Sequence, residues 1–141
     1  MIDDKLAPYG VALLRASLGL LALAHGLLKL LVFTPAGTVG FFESLGLPAV
    51  LAYATMVIEI GGGLALLAGI YTRYVAVAMI PILVGSIVFG HWQAGWLFSN
   101  QGGGWEFPAF WAVALAVQVL LGDGAYAMNR AAGRLRPATA S

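Results

Sequence analysis

Four long apolar stretches constrain this chain more than any other feature of its sequence. An α-helix needs about 20 mostly apolar residues to cross a hydrocarbon layer about 30 Å thick. The stretches predict helices over about 8–32, 48–70, 74–91 and 108–122. Pro8 suits the first turn of the first helix. We therefore expect an all-α fold, a four-helix transmembrane bundle that forms a single membrane domain.

Composition excludes most other classes of protein. Of the 141 residues, 61% are apolar and 9% are charged, whereas a soluble domain carries about 25% charged residues. A net charge of +1 provides no basic surface for nucleic acid. The absence of cysteine excludes thiol redox chemistry, iron–sulfur clusters and c-type haem attachment. A cleaved signal peptide is disfavoured because Asp3 and Asp4 make the start acidic and Arg15 interrupts the apolar region.

The distribution of Lys and Arg predicts the orientation in the membrane. The two long loops, about 33–47 and 92–107, contain no Lys or Arg. The basic residues lie instead at the chain ends and in the tight turn after the second helix: Lys5, Arg73, Arg130, Arg134 and Arg136. The positive-inside rule then places both termini in the cytoplasm. The amphipathic stretch 39–45 suits the outer membrane surface, and the tail 131–141 is expected to be frayed.

Ionisable residues inside the predicted spans are the main functional signal, because a charge at mid-bilayer costs about 2.5–3.5 kcal/mol. Glu59 is about 16 Å deep in the second helix, and His25 is about 10 Å below the outer end of the first. At 100° per residue, His25 shares a stripe about 80° wide with Arg15 and Lys29. We expect Glu59 to pair with one of these three or with Gln118, and to take up a proton if unpaired.

These polar residues have two possible interpretations. Buried polar pairs often serve only to fix helix packing, whereas intramembrane carboxylates also occur at functional sites. Arg15 near the inner end is expected to anchor the topology and the lipid headgroups, with Arg73 in the turn. A further packing signal is a small-residue face on the second helix, formed by Gly61, Ala65 and Gly69.

The outer rim of the bundle completes the candidate site. His91 ends the third helix and Glu106 precedes the fourth, and a glycine run at 102–104 lets the loop between them fold back. Four tryptophans near this rim suit an interfacial belt: Trp92, Trp96, Trp105 and Trp111. We predict a cavity for a quinone or another small ligand, formed by His25, Lys29, Glu59, His91 and Glu106. No metal is expected because the spacing matches no metal motif, and the unequal depths of the two histidines disfavour haem.

The order of several short motifs resembles the DoxX family of small bacterial membrane proteins. The matching elements are Arg15 with Gly19, Ala24-His25-Gly26, Lys29, Phe42, Leu45-Gly46, Pro48, Glu59-Ile60-Gly61-Gly62-Gly63, Gly69, Thr72-Arg73, His91 and Gly104-Trp105-Glu106. The resemblance implies a four-helix protein of the bacterial inner membrane. It also implies a link to quinone-coupled oxidoreductases, which some members of the family have. It implies no catalytic role for any residue.

Three functions fit these features. The first is an accessory or quinone-interacting subunit of a membrane oxidoreductase or respiratory complex, with no redox centre of its own, so that electrons come from a partner. The second is a purely structural subunit that assembles a larger membrane complex. The third is a small-solute or proton-coupled carrier, which four helices could accommodate only as a homo-oligomer.

Overall fold

The computed structural model describes residues 3–129, which form five α-helices and no β-strand. The helices are α1 (Ala7–Leu27), α2 (Thr34–Ser44), α3 (Ala49–Ala68), α4 (Thr72–Gly85) and α5 (Glu106–Leu121). Two of them continue as π-helical turns, α1 through Leu28–Val32 and α4 through Ser86–His91, and Trp92–Ala94 adds a 3-10 turn. The all-α prediction is confirmed. The predicted frayed tail lies outside the described residues.

Three of these helical segments are long and apolar enough to cross a membrane: Ala7–Val32, Ala49–Ala68 and Thr72–Ala94. The fourth, α5, is apolar but has 16 residues, which correspond to about 24 Å. The second predicted span ends earlier than expected because Gly69 adopts a left-handed conformation (φ 70°) that terminates α3. Tyr71 is also left-handed (φ 49°), so α4 begins at Thr72 after a very tight turn.

The segment predicted as a surface loop at 33–47 contains the helix α2. Thr34 has φ 64°, which turns the chain sharply at the end of α1. Its hydroxyl accepts a hydrogen bond from the amide of Gly37, which satisfies one amide of the first turn of α2. Thr38, one turn later, is buried. Helix α2 therefore packs against the rest of the protein, with its main contacts on α3.

The four longest helices, α1, α3, α4 and α5, alternate in direction, so the molecule has two ends. We call the far end the one with α2 and the loop 92–105, and the near end the one with the start of α1, the α3–α4 turn and residues 122–129. Helix α1 packs on α3 and α5, and α4 packs on α3 and α5. The apolar core between them is built from small and large side chains: Leu18, Ala22, Leu66, Ala76, Met79, Leu83, Trp111, Ala114 and Leu115.

Candidate ligand-binding cavity

Close contact between α1 and α3 fixes the geometry of the candidate site. A Cβ atom at Gly63 would lie 2.7 Å from the backbone nitrogen of Leu23 and 2.8 Å from the carbonyl oxygen of Gly19. A Cβ at Gly26, one turn nearer the far end, would lie 2.6 Å from the Ile60 side chain. Only glycine permits this approach of two helix backbones. The contact sets the register in which the polar side chains of α1 and α3 meet.

The glycine contact corrects the predicted packing face of α3. Gly61 is exposed, and a Cβ atom added there would have no atom of residues 3–129 within 4 Å. Ala65 is only half-buried. Gly69 is buried, but as the residue that terminates α3. The contact with α1 is made instead by Gly63, which lies one turn from Glu59 and hence on the same face of the helix. The prediction followed the four-residue spacing of small residues, which does not identify the neighbouring helix.

Lys29 and Glu59 form an ion pair across the α1–α3 contact. The Lys29 Nζ atom donates hydrogen bonds to both carboxylate oxygens of Glu59, at 2.9 and 2.8 Å. The side chain of Glu59 is 6% exposed and that of Lys29 is 20% exposed. Of the predicted partners of Glu59, the structure therefore selects Lys29. A bidentate pair in this setting offers strong charge-assisted hydrogen bonds and leaves one of the three ammonium hydrogens for another acceptor.

His25 lies one turn from Lys29 on α1 and faces the same space. Its Nδ1 atom is 2.9 Å from the carbonyl oxygen of Leu21. A carbonyl only accepts, so Nδ1 carries the hydrogen and a neutral His25 presents Nε2 as an acceptor. The imidazole packs on two rings of α5: it stacks on Phe107 at 6.2 Å and lies 4.9 Å from Trp111, centroid to centroid. These contacts hold the ring in one orientation.

Two of these aromatic contacts were not recognised from the sequence. Trp111 was assigned to an interfacial belt, but the side chain is buried in the core beside His25. Phe107 and Trp111 are four residues apart and so share one face of α5. That spacing is the signal that marks them as a pair, although it does not indicate which helix they face.

A large cavity opens above the ion pair, between the far-end halves of the helices. Its volume is about 1120 Å³, slightly above the range of about 300–1,000 Å³ for small-molecule sites. Helices α3 and α4 contact each other near their shared turn, where Gly62 lies against Val75 and Met79, and the cavity separates them further out. The polar residues of its wall are His25, Lys29, Thr38, Thr55, Glu59, Ser86 and His91. The remaining wall is mainly apolar and aromatic, and includes Phe33, Phe41, Phe42, Ile58, Phe89, Phe98, Phe107 and Trp111.

Irregular helix geometry shapes two sides of this cavity. Both π-helical turns contribute to its wall, one through Lys29 and the other through Ser86 and His91. Single π-helical turns are frequent at functional sites because they shift side chains relative to a regular helix. Thr38 supports the first turn: its hydroxyl lies 3.1 Å from the carbonyl oxygen of Lys29 and 2.9 Å from that of Thr34. Pro81, inside α4, also lines the cavity and removes one helical hydrogen bond there.

The two residues predicted at the rim separate in the structure. His91 lines the cavity, and its Nδ1 is 2.7 Å from the carbonyl oxygen of Gly103. Glu106 does not line the cavity, and the prediction that placed it there is wrong. Its carboxylate accepts a hydrogen bond of 2.7 Å from the amide of Phe98, which braces the loop before α5. The loop folds back through left-handed Gly102 and Gly103, so the carboxylate of Glu106 meets the loop instead of the cavity.

Arg15 and Gln118 lie at the near end, away from Glu59. Arg15 is 3% exposed, and its Nη2 donates to the carbonyl oxygen of Ala125 at 3.1 Å. Gln118 is fully buried and donates to the carbonyl oxygen of Gly122 at 2.7 Å. The expectation that Arg15 reaches the lipid headgroups is wrong because residues after α5 fold over it. Gln118 does not pair with Glu59, because Lys29 occupies the carboxylate and the Gln118 amide bonds to the backbone just after α5.

The rest of the near end is tied by backbone hydrogen bonds. The amide of Ala125 donates to the carbonyl of Pro8, and the amide of Asn129 donates to the carbonyl of Gly69. Arg73, predicted as a topology residue, is exposed beside Gly122. Within residues 3–129, no group of three or more His, Asp or Glu side chains is arranged to hold a metal ion.

Comparison with known proteins gives a family match and two relatives. The DoxX family model matches residues 10–92. A Bacillus subtilis protein named "Putative oxidoreductase CatD" is 39% identical over 85 residues, which cover 60% of this chain and 62% of that protein. An uncharacterized membrane protein of Mycobacterium tuberculosis is 33% identical over 113 residues, which cover 79% of this chain and 66% of that protein. The chain therefore spans slightly less than two thirds of either relative. No solved structure matches it significantly.

Proposed function

Because this chain belongs to the DoxX family of membrane proteins, we propose that it is a quinone-binding integral subunit of a membrane oxidoreductase. The observation that carries the proposal is the cavity of about 1120 Å³, with an apolar wall and the Lys29–Glu59 pair and His25 grouped at its base. A quinone has the matching shape, an apolar ring and tail with two polar oxygens.

The polar residues supply what a quinone headgroup requires. The third ammonium hydrogen of Lys29 can be donated to a quinone carbonyl oxygen. His25, with Nδ1 held by the Leu21 carbonyl, presents Nε2 as an acceptor for a quinol hydroxyl. Once protonated, the same nitrogen becomes a donor for the carbonyl of the oxidised form. Glu59 balances the charge of Lys29 in both cases. The aromatic rings of Phe107 and Trp111 provide a flat apolar surface next to these groups.

Reduction of a quinone to a quinol takes two electrons and two protons. We propose that His25 and the Lys29–Glu59 pair exchange protons with the bound quinone. His91 also lines the cavity, at the end of the π-helical turn that continues α4. The electrons are supplied by a cofactor-bearing partner subunit. The name of the Bacillus subtilis relative, "Putative oxidoreductase CatD", supports this assignment of the reaction class.

We further propose the placement in the membrane. The chain forms one four-helix transmembrane domain of the bacterial inner membrane, with the near end on the cytoplasmic side. Lys5 and Arg73 lie at the near end, whereas the far-end loops carry no Lys or Arg. The chain has no natural cysteine, so a single cysteine at Lys5 or Ser99 can be labelled without background. A membrane-impermeant maleimide added to intact cells should label Ser99→Cys and not Lys5→Cys; the reverse pattern refutes the orientation.

Quinone content after mild extraction from native membranes tests the proposed function. The wild type should retain quinone, and Glu59→Gln and His25→Ala should lose most of it. Glu43→Gln is the matched control, because Glu43 is an exposed carboxylate of α2 outside the cavity wall. If all three variants retain quinone at the wild-type ratio of quinone to protein, quinone binding in this cavity is refuted. The subunit role fails separately if native purification yields no cofactor-bearing protein.

A further inference from the structure

A second, smaller pocket lies at the near end of the molecule, between the start of α4 and the segment after α5. Its volume is about 320 Å³. It is lined on one side by Thr72, Arg73 and the tyrosines that flank them, and on the other by Asp123 and Asn129. None of these residues takes part in the quinone cavity described above, so the pocket is a separate feature of the fold.

Hydrogen-bond donors of three kinds meet at this pocket. The first is the N-terminus of α4, which no described side chain caps and whose first amides have no partner within the helix. The second is the hydroxyl of Thr72, which is completely buried and has no hydrogen-bond partner between residues 3 and 129. A buried polar group without a partner is costly, so this hydroxyl points to a missing acceptor.

The third donor is the guanidinium of Arg73. Its Nη2 atom lies 3.2 Å from where a Cβ atom of Gly122 would be, so the glycine leaves room for it beside the pocket. Backbone amides, a hydroxyl and a guanidinium group are together suited to bind a tetrahedral oxyanion, because such an anion offers several acceptor oxygens at once. A neutral ligand or a planar carboxylate would leave part of this set without partners.

Asp123 lines the same pocket and would repel an anion. It lies within Coulombic range of the buried Arg15, whose guanidinium is held by the carbonyl of Ala125. The positive charge of Arg15 therefore offsets the negative charge of Asp123. Together with Arg73, the three side chains have one net positive charge. The positive end of the α4 dipole adds to it.

The surroundings of the pocket identify the source of the anion. Tyr71 and Tyr74 are 66% and 78% exposed, with ring centroids 6.3 Å apart, and exposed Leu121 lies opposite them. Tyrosine next to exposed apolar residues at a helix end is typical of the headgroup region of a bilayer. Basic pockets between helices at this depth bind anionic lipid headgroups. We infer that the pocket binds the phosphate of an anionic phospholipid, held by Arg73, Thr72 and the N-terminus of α4.

Lipid retention by the full chain in nanodiscs tests the inference. Discs are made from phosphatidylcholine alone or with added phosphatidylglycerol, and bound lipid is measured by native mass spectrometry. The wild type should retain phosphatidylglycerol, and Arg73→Gln and Thr72→Val should weaken that retention about tenfold or more. Lys5→Gln is the matched control, because it removes one positive charge from the same end outside the pocket.

Three results overturn the inference. If Lys5→Gln and Arg73→Gln lose phosphatidylglycerol equally, the lipid is retained by nonspecific charge attraction and not by the pocket. Unchanged retention in Thr72→Val and Arg73→Gln removes the site altogether. Stabilisation by millimolar inorganic phosphate in pure phosphatidylcholine discs, equal to that given by phosphatidylglycerol, assigns the pocket to a soluble anion instead of a lipid. Quinone content is expected to remain at the wild-type level in both pocket variants, so this test and the quinone test fail independently.

Discussion

Replacement of Gly63 by alanine gives the sharpest test of the α1–α3 contact. Ordinary van der Waals contacts begin at 3.4 Å, and the new Cβ would lie 2.7 Å from the Leu23 nitrogen. The shortfall of 0.7 Å, the difference between these two distances, falls on helix backbone, which cannot move aside as a flexible side chain does. The two helices must therefore separate by a similar amount. Overpacking of this kind costs about 1–3 kcal/mol.

Gly61→Ala provides the control on the same helix, because a Cβ atom there meets nothing within 4 Å. Both substitutions gain the same helix propensity, up to about 1 kcal/mol, which cancels when they are compared. We expect Gly63→Ala to be less stable than Gly61→Ala by about 2 kcal/mol. Reversible unfolding in mixed micelles with increasing dodecyl sulfate measures the difference. Two variants within about 0.5 kcal/mol of each other would show that the helix backbones are not in close contact at Gly63.

Two further predictions concern the base and the side of the cavity. Lys29→Met leaves Glu59 buried without its partner and should lower the free energy of unfolding by about 3 kcal/mol. The double variant Lys29→Met/Glu59→Gln should recover at least half of that loss in the same unfolding assay. Additive losses from the two substitutions would contradict a direct ion pair. Thr38→Val removes the hydroxyl that bonds the carbonyl oxygens of Lys29 and Thr34. It should lower the free energy of unfolding by about 1 kcal/mol and speed up hydrogen exchange of the amides in the π-helical turn. Unchanged exchange would show that the hydroxyl does not support the turn.

The sequence was sufficient to predict the all-helical fold, because the helices are long and apolar and their ends carry proline, glycine or tight turns. It also indicated that Glu59 needs a polar partner inside the bundle, on α1 or on α5. It did not select Lys29 among four candidates, because that choice depends on how far α1 slides along α3. The slide is fixed by contacts of Gly19, Gly26 and Gly63, and a glycine in a sequence does not show what it touches.

The errors at Glu106 and Arg15 have a common physical origin. From their positions along their own helices, Arg15 was assigned to the nearest membrane edge and Glu106 to the mouth of the cavity. In the structure each bonds to the backbone of an irregular segment, Glu106 to the amide of Phe98 and Arg15 to the carbonyl of Ala125. Irregular segments have backbone groups without helical partners, and their path is set by tertiary packing that sequence periodicity does not describe.

Because α1 ends in a π-helical turn, the length of this segment matters as much as the identity of its residues. The amide of Phe33 bonds to the carbonyl of Leu28, five residues back, so the turn contains one residue more than a regular helix would. Deleting one residue between Lys29 and Thr38 would either rotate everything after it by about 100° or close the wide turn to a regular one. Both outcomes change the position of Thr38 relative to Lys29. The threonine hydroxyl would leave the lysine carbonyl, and α2 would present a different face to the ligand. Among natural variants, length changes should therefore be rarer in this stretch than substitutions.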